Sequence, residues 1–346
     1  MFRPDADGKL KPYLSNADQA IFCRAKRAPR ALARAGINAM STAEAIAPRA
    51  RTVLVTGGAG FIGSHLVDAL AQQGHRVRII DNFSTGRREN LNRAAELIEA
   101  DVRDPGAIAP AFGGVDCVFH TAALARIPLS IEKPVETHMT NVVGTLNVLV
   151  AARDAKVRRV VLSGSSSVYG EQKSLPMVET MTPNPLNPYA LQKYAGEQYA
   201  RIFHRLFGLQ TLTLRYFNVY GPRMDEEGAY ALAIGAFLRA RRAGRPLTIF
   251  GDGEQTRDFT HVSDVVAANL LAMDAAVADG RAINIGRGQN VSINRVAAII
   301  GGPITRLAAR PGEIRDTLAD RTEAERVLGW RPRVSIEQGL ADLLGC

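Results

Sequence analysis

Between residues 52 and 216 the apolar positions alternate between short continuous runs and helical spacing. Thr52 to Thr56 (TVLVT) is β-branched and apolar and too short for a helix, so it reads as a buried parallel strand. Phe61, Ile62, Leu66, Val67 and Leu70 then fall on one helical face, and Arg76 to Ile80 returns as a second strand ending on Asp81. Leu97 to Ala100 reads as a third strand ending on Asp101, Val115 to Phe119 as a fourth and Arg159 to Ser163 as a fifth. A long helical pattern covers Glu136 to Asp154, and an amphipathic helix is predicted from Tyr189 to Leu206. This alternation predicts an α/β fold built on a doubly wound parallel sheet over residues 51–216. Beyond Tyr216, short strands, loops and Arg-rich helices predict a smaller α/β substrate domain over residues 217–346, with some segments returning to the first domain. Residues 1–50 lack apolar periodicity and read as an N-terminal extension, either disordered or the product of a misassigned start. Met40, followed by STAEAIAPRA, is the alternative start; an organelle-targeting peptide is disfavoured by Asp5, Asp7 and Asp18.

Composition changes this picture little. With 346 residues, 46% of them hydrophobic, the chain can bury one large core or two that share a cleft. Cys23, Cys117 and Cys346 are scattered and form no CxxC pair, which points to a reduced, cytoplasmic setting and to no metal site. No stretch has the apolar length of a membrane span, so no membrane partner is expected. The formal net charge of +9 raises the question of a nucleic-acid partner. The first fifty residues hold nine Lys and Arg against four Asp and Glu, and the remainder has no basic stripe interleaved with aromatics. No nucleic acid is expected, and the modest positive excess suits diphosphate ligands.

Chemistry enters at TGGAGFIGSH. Gly57 permits a tight turn, Gly60 lets backbone approach a pyrophosphate, and Gly63 lets the helix pack closely on the strand. Strand before and helix after is the context that this Rossmann motif requires, and the helix N-terminus points its amides at phosphate. Asp81, eighteen residues past Gly63, is placed to accept from a ribose diol and to repel a 2′-phosphate, so the cofactor is expected to be NAD. Asp101 reads either as an acceptor for the adenine amino group or as a helix N-cap. Ala122 and Ala123 allow a close approach to the cofactor, and His120 reads as a packing residue. Tyr189 and Lys193 stand at i and i+4 on one helical face, where the ammonium would favour a phenolate base, and Ser165 at a strand end offers a hydroxyl relay.

TGGAGFIGSH, Asp81, DVRD, HTAA, SSSVYG, PYALQK, LRYFNVYGPR and RPGEIRDTLADRTEAERVLGWRP together resemble the extended short-chain dehydrogenase/reductase superfamily, NAD-dependent epimerase/dehydratase family. Within it the chain is most similar to UDP-sugar 4-epimerases, from about residue 52 to 343. The resemblance implies Ser165, Tyr189 and Lys193 as catalytic residues. It implies a cofactor site of Gly57, Gly60, Phe61, Ile62, Gly63, Asp81, Asn82, Asp101 and Val102 with Tyr189 and Lys193. It places Ser166, Ser167, Asn218, Arg257, Arg310, Glu313 and Thr317 against the nucleotide sugar, Arg257 and Arg310 as forks for the diphosphate and Glu313 as an acceptor from the uridine ribose.

Related dehydratases carry an Asp-Glu pair where Ser166 and Ser167 stand here, and related decarboxylases a Glu at Ser167, so both reactions are disfavoured. What remains is NAD-dependent C4 epimerisation of a UDP-hexose or UDP-N-acetylhexosamine through a 4-keto sugar, serving polysaccharide biosynthesis. The alternatives are a UDP-glucuronate 4-epimerase, another nucleotide-sugar oxidoreductase or decarboxylase, or a redox-sensing NAD-binding regulator. The resemblance further implies a homodimer joined through the two long helices, with Val142, Leu146, Val150, Ala195 and Ile202 as an apolar face unless the chain's own sheet covers it. Thr317, where a large aromatic would restrict the pocket to glucose and galactose, implies room for an acetamido group. Trp330, Leu328 and Gly329 read as structural.

Overall fold

A computed structural model describes residues 2–4, 10–12, 50–226, 233–309 and 314–345. Residues 1–48 and 49–346 are separate compact units. In the first, Phe2–Pro4 pairs antiparallel with Leu10–Pro12; the other readings made for residues 1–49 lie outside the described residues.

The second unit is organised by seven parallel strands: β1 (Thr52–Thr56), β2 (Arg76–Asp81), β3 (Glu96–Glu99), β4 (Cys117–His120), β5 (Arg159–Ser165), β6 (Gln210–Tyr216) and β7 (Asp279–Ile285). Their order is β7-β6-β5-β4-β1-β2-β3, so the winding reverses between β1 and β4. In such sheets ligands bind outside the carboxyl ends of the strands at that reversal. Helices cover both faces, which is why the central strands are apolar on both. Val53 and Val55 pack with Leu66 and Val67 on one side, and Leu54 and Val118 with Val148 and Leu149 on the other. A separate cluster including Phe237, Leu247, Ile249 and Val296 forms the core of the smaller lobe beyond β6.

Three helices bear on the site: α1 (Phe61–Gln72), α2 (Gly144–Asp154) and α3 (Pro188–Phe207). The pattern expected as one helix from Glu136 to Asp154 is divided into Pro134–His138, a π turn over Met139–Val143, and α2. Asn141 sits in that π turn, its amide bonded to both the N–H and the C=O of Leu124 (2.8 and 3.1 Å), so the turn serves the loop after β4. α3 starts where Asn187 Oδ1 accepts from the Ala190 amide at 2.9 Å, with Pro188 in the first turn, and it stops at Gly208 in the left-handed region. The third and fourth strands begin and end within two residues of expectation, and β5 runs on to Ser165, which places that hydroxyl at the sheet edge. Trp330 is buried and its indole N–H donates to the Asp264 carbonyl at 2.8 Å, while Gly329 terminates the helix Thr322–Leu328.

Candidate functional site

The three glycines hold the turn between β1 and α1 for separate reasons. Gly57 has φ +72°, and a Cβ there would lie 2.7 Å from the Ala122 amide. A Cβ on Gly63 would lie 2.1 Å from the Gly57 carbonyl. Gly60 stands at the helix N-cap with no side-chain cap, so the first-turn amides keep the need for an acceptor that an anion satisfies. The loop then fixes its own acid: Asp81 accepts from the Ala59 amide (2.9 Å) and the Phe83 amide (2.8 Å). Asn82 donates to Asp101 at 2.8 Å, and Arg103 grips the same carboxylate, holding its pKa at about 2. Asp101 is not the cap of the next helix; Asp104 is, accepting from Ala107 at 3.1 Å. Val102 is buried against Gly144, where a Cβ would meet it at 2.7 Å, and Phe61 and Ile62 are half-buried on α1. Tight backbone, exposed helix amides and an anchored acid at the end of β2 fit a dinucleotide.

Across the reversal, His120 is buried between two threonines. Thr145 donates to the Asn141 carbonyl (2.7 Å), so it accepts from His120 Nε2 (2.9 Å), and His120 Nδ1 accepts from Thr56 (2.7 Å). Both ring nitrogens are used and burial pushes the imidazole down to about 3, which is the packing role expected of it.

β5 and α3 bring Ser165, Tyr189 and Lys193 together at the same edge. The Ser165 side chain is the group that opposes the upward shift of the Tyr189 phenol, and its Oγ lies 2.8 Å from Ser167 Oγ and accepts from the Ser167 amide at 3.2 Å. Lys193 Nζ donates to the Ser163 carbonyl at 3.0 Å, and burial lowers its pKa to about 8. Burial raises the Tyr189 phenol above its ordinary value, and the Ser165 side chain opposes that.

On the substrate side Asn218, at φ +26°, donates to the Asp258 carbonyl (3.3 Å) and to Thr317 Oγ1 (3.4 Å), so two expected pocket residues meet. Thr317 is only 8% exposed and its hydroxyl also accepts from the Asp258 amide, which makes it part of the wall rather than an open rim. Arg257 is anchored through Nη1 to the Thr256 and Arg315 carbonyls (2.8 and 3.1 Å). Arg310 and Glu313 lie outside the described residues, and Ser166 is half-buried in the turn after Ser165. The sequence reading missed Asp258, whose buried carboxylate gathers the amides of Arg287, Gly288 and Ala319 at 2.7 to 3.0 Å and ties the strand of Arg257 to the segment of Thr317. It also missed Gln192, which accepts from Asn141 at 2.8 Å; a polar residue amid apolar helix positions was the available signal. No cluster of metal ligands occurs among the described residues.

Residues 53–286 match the model of the NAD dependent epimerase/dehydratase family. The chain is similar to the crystal structure of UDP-glucose 4-epimerase from Thermotoga maritima with UDP-glucose (39% identity, 84% of this chain and 96% of that one, TM-score 0.80). It is similar to UDP-N-acetylglucosamine 4-epimerase from Methanobrevibacter ruminantium in complex with UDP-N-acetylmuramic acid (36%, 86% and 99%, TM-score 0.81). It is also similar to UDP-glucuronic acid 4-epimerase from Bacillus cereus in complex with UDP-glucuronic acid and NAD (33%, 84% and 96%, TM-score 0.77). The chain therefore belongs to the NAD dependent epimerase/dehydratase family. It is an enzyme of that family, and its cofactor is NAD.

Proposed function

We propose that the chain epimerises a UDP-hexose or UDP-N-acetylhexosamine at C4, with Ser165, Tyr189 and Lys193 as its catalytic residues. The observation that carries this reading is that β5 and α3 bring Ser165, Tyr189 and Lys193 to the same carboxyl end of the sheet as the glycine loop and Asp81. Tyr189 takes the proton of the sugar's C4 hydroxyl and returns it to the same oxygen after the sugar has turned its other face, and Ser165 passes the hydrogen bond between phenol and sugar. Lys193, oriented by the Ser163 carbonyl, provides positive charge on the buried side. When bound, NAD would supply the hydride acceptor in its oxidised form, the hydride donor for the return step in its reduced form, and a positive ring that favours the phenolate. Arg257, with Arg310, retains the diphosphate while the 4-keto sugar turns over within a pocket bordered by Asn218 and Thr317.

The test is a panel of UDP-sugars with separation of the C4 epimers. Epimerised UDP-glucose and UDP-galactose, with the acetylated pair also accepted, is the expected result; Tyr189→Phe should lose about 100-fold or more in turnover while retaining NAD. A loss below about tenfold would remove the assignment of Tyr189. A UDP-glucuronate 4-epimerase is the second reading, favoured by the likeness to the Bacillus cereus enzyme; turnover of UDP-glucuronate alone would select it.

A homodimer belongs to the same proposal. Val142 is buried within the chain and Leu146 and Val150 pack partly against its core, but Leu191, Ile202 and Leu206 on α3 stand 58, 44 and 71% exposed. Light scattering at micromolar concentration should give twice the chain mass; a single-chain mass would refute the dimer.

A further inference from the structure

We propose that Arg215 and Glu197 are positioning residues that clamp the Ser165 turn to the helix carrying Tyr189 and Lys193, an inference that rests on the catalytic assignment above. The signal is a strand of the wrong polarity. β6 lies between β5 and β7 with both faces covered, a place where parallel strands ordinarily read as continuous apolar runs, yet its sequence is QTLTLRY. Thr211, Thr213 and Arg215 share one face of the strand and are at most 2% exposed. That face meets α3. Thr211 donates to the Ala200 carbonyl at 2.8 Å, and Arg215 forks onto Glu197 through Nε (2.9 Å) and Nη2 (2.6 Å). Glu197 stands one turn after Lys193 on α3, and both line a small polar cavity together with Thr213, whose hydroxyl has no partner among the described residues.

The same guanidinium reaches the other half of the site. Its Nη1 donates to the Tyr169 hydroxyl at 2.7 Å, and its central carbon lies 4.7 Å from that ring's centroid. Tyr169 closes the short turn Ser166–Tyr169 for which Ser165 is the N-cap. Its own hydroxyl donates to Asn284 at 2.6 Å, and the Asn284 amide donates to the Met177 and Asp320 carbonyls, so the network is satisfied at each step. One buried cation thus touches the turn of Ser165 through Tyr169 and the helix of Tyr189 and Lys193 through Glu197, residues 28 positions apart in sequence. Stability alone does not explain it, because well-packed apolar residues often replace a buried ion pair without loss. The rigid fork supplies geometry, and small misplacements of reacting groups are costly in rate.

The experiment compares the full chain with Glu197→Leu/Arg215→Met, Glu197→Gln, Tyr169→Phe and Tyr189→Phe. The readouts are the unfolding midpoint, and kcat per bound NAD, KM and the pH profile with UDP-galactose. Normalising to bound NAD removes any unfolded fraction. The apolar double variant is expected to keep a midpoint near the parent's and to lose about tenfold or more in kcat with KM nearly unchanged. The limb of the profile set by Tyr189 should move to higher pH, a shift that a merely structural pair would not produce. If the double variant does not fold, Glu197→Gln and Tyr169→Phe carry the test, each expected to lower kcat several-fold at parental stability. Parental kcat and pH limb in the folded variants, with Tyr189→Phe inactive, would overturn the clamp alone. An active Tyr189→Phe would overturn the catalytic assignment and the clamp with it.

Discussion

The two walls of the crevice are built differently. The cofactor wall is mostly backbone: Gly57, Gly60 and Gly63 shape it within seven residues, and Asp81 is fixed by the Ala59 amide of that turn and the Phe83 amide just past its own strand. The proposed substrate wall is assembled from segments around residues 218, 257 and 317, drawn together by one buried acid, Asp258. A wall made from a single turn has little freedom to vary while the cofactor stays the same. A wall made from three distant segments can change its contour at one position, which is where selectivity among sugars can be altered without touching NAD.

The largest effect should come from breaking the cofactor wall. In Gly63→Ala the new methyl would lie 2.1 Å from the Gly57 carbonyl, and the neighbour that must yield is backbone. The expected outcome is loss of bound NAD and of turnover together, measured by nucleotide extraction from the purified variant. An NAD content equal to the parent's would show that the turn is looser than its geometry implies.

How much of this was legible follows the same division. Strand, glycines and Asp81 are contiguous, so period and spacing were enough to read the fold and the cofactor. Asn218 and Thr317 meet only through folding, ninety-nine positions apart, and only the family likeness pointed to them. Arg215 was hidden for another reason: alternation in QTLTLRY suggests a half-exposed strand, whereas burial on both faces makes its polar residues a network. The i, i+4 spacing of Tyr189 and Lys193 conveyed their proximity but not their desolvation, which raises the phenol and lowers the ammonium once the fold closes over both.

The seam between the walls should show itself in acid. His120 is held neutral, with its pKa pushed down to about 3 against an ordinary 6.5. Between those values the unfolded chain binds the proton that the folded chain refuses, so stability is full above about pH 6.5 and falls as pH drops toward 3. The contribution is at most several kcal/mol, since real chains relax around a buried charge. His65, His75 and His261 also lie below their ordinary values through burial, so the parent's slope has several sources. The diagnostic is the difference: His120→Gln keeps a donor and an acceptor for the two threonines, and its urea midpoint should fall less steeply from pH 6.5 to 4. Equal slopes would mean that His120 takes up its proton in the folded state.

The smallest expected effect, and the one confined to the substrate wall, is at Thr317. The hydroxyl is fastened to the Asp258 amide and the Asn218 side chain, so its position is set by the wall and its size determines the contour there. In Thr317→Tyr the added ring can only project toward the cleft or push Asn218 aside, because the position is 8% exposed and backed by Asp258. Overpacking of this kind costs typically about 1 to 3 kcal/mol, or roughly 5- to 150-fold in rate for a substrate that needs the lost space. An acetamido group at C2 needs it in both orientations of the turning sugar, whereas a hydroxyl there needs far less. Turnover of UDP-N-acetylglucosamine and UDP-N-acetylgalactosamine should therefore fall by that factor while UDP-glucose and UDP-galactose change little and NAD content not at all. Equal losses on all four sugars would mean that the ring displaced Asn218 and damaged the wall itself. A parent inactive on the acetylated pair would mean that Thr317 does not set the boundary.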